Sequence, residues 1–185
     1  MSARADPRGG RSAMVVPTAT SKHLPCACSR QLSLSKMANN PDWVFYRHDG
    51  PTEAEVMTQL LAGFPGFRPR WEKHLASWDG EPAGNYIDIG EFVYFVVEDL
   101  YPGGKSEEVQ RAFDLMENWL MNGHVNVQEL VVIGFLEDLQ NLASQQPFGK
   151  EAFIPFLGPK SREGWDDLEK FWEGKGAFSE GSGPT

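Results

Sequence analysis

A chain of 185 residues with 41% hydrophobic and 12% aromatic side chains is sized for one domain with a substantial core. No apolar run approaches the roughly 18–20 residues of a membrane span, the longest being "FVYFVV" and "LVVIGFL", so a soluble protein without a membrane partner is expected. The net charge of −9 argues against nucleic acid, and it conceals an asymmetry: residues 1–36 carry Arg4, Arg8, Arg11, Lys22, Arg30 and Lys36 against Asp6 alone.

That leading segment also holds both cysteines, Cys26 and Cys28, so no disulfide framework is expected in the rest, and a C-x-C with only His23 nearby is a poor metal site. It is rich in Arg and Ser, as transit peptides are, but lacks an amphipathic stripe or an apolar h-region. It reads as disordered, and two origins stay open: a true tail or targeting segment, or an over-extended frame whose real start is Met37. Residues 37–51 read as a linker, 52–174 as a helical domain and 175–185 as a flexible tail.

From residue 52 the pattern is helical. Thr52 and Glu55 form a capping box after Pro51, and Val56, Met57, Leu60, Leu61 and Phe64 share one apolar face until Gly63 and Pro65 stop the helix. Pro69 suits the first turn of the next helix, with Phe67, Trp71, Leu75 and Trp78 at helical spacing and "DGEPAGN" as its end. "YIDIGEFVYFVVEDL" has the β-branched and aromatic content of a strand, but Asp88 and Glu91 at capping-box spacing and Ile89, Phe92, Val93, Val96 and Leu100 on one face favour a helix. Ser106 opens a helix buried through Val109, Ala112, Phe113, Met116, Trp119 and Leu120. Asn126 and Glu129 are read as capping "NVQELVVIGFLEDLQNLA", whose apolar residues nearly encircle it, the mark of a central helix.

Toward the C-terminus Pro155 shortens "KEAFIPFLG", Gly158 ends it, and Pro159 starts a helix with Trp165, Leu168, Phe171 and Trp172 as its stripe. Gly158, Pro159 and Lys160 are read as helix punctuation; the weaker alternative is an anion held at the following helix N-terminus. The expected fold is thus all-α: six to seven short antiparallel helices, with residues 106–143 similar to a HEAT-type pair, though no 40-residue period recurs.

"YIDIGEF" early, "VVIGFLEDL" in the centre and "FLGPKSREGWDDLEKFW" at the end also resemble a family of small, uncharacterised, all-helical bacterial proteins, over residues 52–174. The resemblance implies fold, bacterial origin and a cytoplasmic setting rather than an activity, and by analogy an immunity or antitoxin type of partner.

Enzyme chemistry has no signature here. His23, His48, His74 and His124 are scattered, "HDG" at His48 reads as a turn, and Ser77, Ser144 and Ser161 lack a nucleophile elbow. The pairs Glu98–Asp99, Glu137–Asp138 and Asp166–Asp167 read as solvated faces, since adjacent helical residues point about 100° apart. No catalytic residue, metal or cofactor is assigned.

Charge is the strongest signal outside the core. Between His74 and Lys150 two basic residues, Lys105 and Arg111, face thirteen acidic ones. Such a field would steer a basic protein partner, with Asp79, Glu81, Asp88, Glu91, Glu98 and Asp99 as candidate contacts; the plainer alternative is that the acids only maintain solubility. The expectation is a non-enzymatic interaction protein, against an alternative of an enzyme or small-molecule binder with an aromatic, helix-lined pocket.

Overall fold

Apolar residues recurring at three- and four-residue steps fold here as helices throughout. The structure, a computed structural model, describes residues 49–174, and these contain no strand. Helix α1, Glu53–Gly63, starts at the expected capping box, in which the Thr52 backbone N–H donates to Glu55 Oε2 at 2.8 Å. That bond and a second from the Thr52 hydroxyl hold the Glu55 carboxyl below its ordinary range. A 3₁₀ turn, Pro65–Phe67, leads into α2, Arg68–Ser77. Helix α3, Asn85–Tyr94, runs on as a π-helical stretch, Phe95–Leu100, and α4 is Ser106–Asn122. The next rod comprises α5, Val125–Glu129, a π-helical stretch, Leu130–Glu137, and α6, Asp138–Ala143. A second 3₁₀ segment, Lys150–Phe156, precedes α7, Pro159–Trp172. The protein is all-α.

The 125–143 rod is the buried axis expected from its composition. Leu130, Val131, Val132, Phe135, Leu136, Leu139 and Ala143 are all inaccessible to solvent or nearly so. Both α3 and α7 pack on its π-helical stretch. Gly134 lets α3 approach: a Cβ there would stand 2.7 Å from Ile89 Cγ2, closer than carbon atoms pack.

Aromatic rings run through the core in sequence. Phe64 meets Phe92 edge-on at 5.0 Å, Phe92 meets Phe135 at 6.2 Å, and Phe135 meets Phe113 at 5.6 Å. Phe113 then stacks on Phe153 at 6.1 Å, which lies 4.8 Å from Tyr101. Edge-to-face and tilted pairs of this kind suit the ring quadrupoles.

Several local expectations are corrected. Helix α3 begins at Asn85 after Gly84, so Asp88 and Glu91 form no capping box; they face α2 instead. Helix α5 begins at Val125, with His124 rather than Asn126 as its cap: Nδ1 accepts from the Asn126 backbone N–H at 3.4 Å. The Asn126 side chain donates to Glu53 Oε2 at 2.9 Å while Asn85 donates to Glu53 Oε1 at 3.0 Å, so one carboxylate joins the starts of α1, α3 and α5. Beside this junction burial pushes the Tyr86 hydroxyl above its ordinary range, and the neighbouring Glu129 and Glu53 charges add to the effect. Glu137, read as a solvated acid, is buried. Trp172, read as core, is 53% exposed, because α7 turns Trp165 and Leu168 inward and its last turn runs past the core. The leader with Cys26 and Cys28, His48 and the 175–185 tail lie outside the described residues.

Candidate functional site

Four of the six candidate acids meet α2, and α2 supplies cations that the sequence did not connect to them. Arg70 sits between Glu98 and Asp99, with Nη2 at 3.0 Å and 3.1 Å from their carboxylates, and Nη1 lies 3.9 Å from Glu91. Glu91, Glu98 and Asp99 therefore share one guanidinium, which offsets part of their negative charge. Such partly exposed pairs contribute little to stability, but they fix where α2 lies on α3.

Asp88 is buried altogether. Its Oδ1 accepts from His74 Nε2 at 2.8 Å and from the Ala83 backbone N–H at 3.0 Å, and its Oδ2 accepts from the Gly84 N–H at 3.2 Å. Because a carboxylate only accepts, the Nε2 of His74 carries the proton. Glu91 Oε1 stands 3.6 Å from the other ring nitrogen, and Trp71 stacks over the imidazole at 5.3 Å. Both nitrogens thus face carboxylates in a closed setting. The hydroxyl of Ser77 donates to the His74 backbone carbonyl at 2.7 Å and not to its ring. The cluster clasps α2 to α3, with both imidazole nitrogens turned toward the protein's own carboxylates.

Above the clasp lies the loop from Trp78 to Gly84. The Trp78 and Gly80 N–H groups both donate to the Leu75 carbonyl, at 2.9 Å and 2.8 Å, and the Glu81 N–H donates to the Trp78 carbonyl at 3.0 Å. The chain reverses through the left-handed region at Asp79, φ 54°, and Gly80, φ 88°. A non-glycine residue there is uncommon, and aspartate tolerates it better than most. The loop leaves Trp78, Asp79 and Glu81 exposed. Asp79 and Glu81 have no ion pair among the described residues. Along the outer face of α3, Ile87 and Tyr94, seven residues apart, are exposed as well.

The Gly158–Lys160 joint is closed from within. Glu117, on α4, accepts from the backbone N–H groups of Lys160 and Ser161 at 2.7 Å and 2.8 Å and from the Ser161 hydroxyl at 2.8 Å. Gly158 makes room for it, since a Cβ there would stand 2.5 Å from Glu117 Cδ. The amides that could have held an anion already hold the protein's own carboxylate.

No group of three or more His, Cys, Asp or Glu side chains among the described residues is placed to hold a metal ion. No helix among them is long and apolar enough to cross a membrane. Sequence reasoning missed Arg70 and His74 because their partners lie 14 to 29 residues away; it reads Trp71, Trp78, Trp119, Trp165 and Trp172 as core with one or two left exposed as interface anchors, and did not single out Trp78 although the "DG" after it marks where the helical stripe ends.

No curated protein and no solved structure matches the chain. One family does, over residues 57–173, which include the clasp, the loop above it and the Glu117 joint. The chain therefore belongs to the family DUF7674, described as a domain of unknown function.

Proposed function

We propose that this domain is a non-enzymatic interaction module of the immunity or antitoxin type, engaging a basic partner protein at the edge formed by α2, α3 and the loop between them. The observation that carries the reading is an exposed tryptophan between acidic neighbours on a hydrogen-bonded loop, Trp78 with Asp79 and Glu81. Tryptophan is enriched among the residues that dominate binding energy at protein interfaces, and complementary charge accelerates encounter with the right partner. The excess of acid over base between His74 and Lys150 supports the same partner chemistry. Glu91, Glu98 and Asp99 contribute less than their formal charge suggests, since Arg70 already occupies them.

The test is affinity capture with the full chain and with an Asp79→Lys/Glu81→Lys variant, at low and at physiological salt. A basic protein should be retained by the wild type, less so as salt rises, and far less by the variant, whose helical circular dichroism stays unchanged. Retention indifferent to both salt and charge reversal would overturn the reading. Reversing Glu98 and Asp99 is not equivalent, because it also strips Arg70 of its partners.

A further inference from the structure

We infer that Trp78 is the anchor of this contact and that its indole face receives an arginine or lysine side chain of the partner, flanked by the carboxylates of Asp79 and Glu81. The inference rests on the reading of the domain as a module for a basic protein and narrows it to one recognition element. Trp78 is 47% exposed, with its ring 6.4 Å from that of His74, whereas Trp71, about two helical turns earlier, is buried against His74 and Phe67. Indole is the best of the side-chain rings at attracting a cation to its face. An aliphatic or acidic partner segment would bring Asp79 and Glu81 out of water with nothing to compensate them; a cationic one meets both the ring and the two acids.

The loop is also prepared for this role. The three hydrogen bonds at Leu75 and Trp78, together with the Asp88 carboxylate on the Ala83 and Gly84 amides, fix its backbone from both ends. Little conformational freedom is then lost when a partner docks. The Arg70 guanidinium on α2 is engaged by Glu91, Glu98 and Asp99, and among the described residues no arginine or lysine stands over the indole. Ile87 and Tyr94 extend the same edge with exposed apolar surface against which the hydrocarbon stems of Arg or Lys can lie.

The experiment uses hexa-arginine, hexa-lysine and hexa-glutamine peptides as probes, titrated into the full chain at low ionic strength. Binding is followed by calorimetry and by the indole N–H resonances, with Trp78 assigned through Trp78→Phe. The basic peptides should shift the Trp78 resonance and hexa-glutamine should not. Trp78→Ala and Trp78→Leu should each weaken hexa-arginine binding about threefold or more while melting with the wild type, Leu showing that apolar bulk without the ring does not suffice. If both variants bind as the wild type does while Asp79→Lys/Glu81→Lys fails to bind, the anchor is overturned and the basic-partner reading stands. If neither basic peptide binds, or if charge reversal has no effect on their binding, both are overturned.

Discussion

Asp88 and Glu117 each place a carboxylate on backbone amides beside the start of a helix, but they come to those amides from different distances. Asp88 reaches back to Gly84 and Ala83, four and five residues away, and across to His74, 14 residues away. Everything it organises is local, and the outer side of its loop stays open with Trp78 on display. Glu117 reaches Lys160 and Ser161, 43 and 44 residues away on another helix, and fills the helix terminus it meets. Of two acids with the same formal charge, one supports an open surface and the other closes one. A count of acidic residues along the chain cannot make that distinction, because the fate of each charge is set by what packs against it.

The sharpest way to break this comparison is Asp88→Ala. It leaves a buried imidazole and two amides without their acceptor, so a loss of about 3–5 kcal/mol is expected in urea denaturation. A loss near that of a surface substitution would show that the loop above α2 and α3 is held by something else. Glu117→Ala should be milder, about 1–3 kcal/mol, since water can reach the half-exposed end of α7. It should also reopen the amides: phosphate is expected to raise the melting temperature of Glu117→Ala but not of the wild type. An equal response of both proteins would mean that Glu117 does not occupy that terminus in solution. The smallest effect belongs to Trp172→Ala, expected to cost under about 1 kcal/mol because the ring is half in water. A cost comparable with that of a core aromatic would restore Trp172 to the interior.

Much of the helical framework was legible in the chain. Val56, Leu60 and Phe64, or Val109, Phe113 and Met116, repeat at helical steps, and the residues so marked are buried. The Thr52–Glu55 box was legible because all its parts lie within four residues. Asp88 and Asn126 carried the same local signature as caps, yet their side chains found better partners on other elements, His74 and Glu53, which no nearby spacing encodes. The π-helical stretches at 95–100 and 130–137 escape a count based on 3.6 residues per turn, and Glu137, read with Asp138 as a solvated pair, lies inside the second of them. The candidate site was half legible. The acids were in view, but not the single arginine that bridges three of them, nor that Trp78 is the exposed ring beside Asp79 and Glu81.

The row of rings from Phe64 through Phe92, Phe135, Phe113 and Phe153 to Tyr101 crosses elements far apart in the chain. None of these helices can detach without stripping a ring from its neighbour, so the row couples the first helix of the domain to the 3₁₀ segment before the last. The elements that share this row are therefore expected to melt together. Trp78 stands outside this row and touches it through His74, Trp71 and Phe67, so substitutions at the exposed Asp79 and Glu81 beside it are expected to leave the melting of the row unchanged.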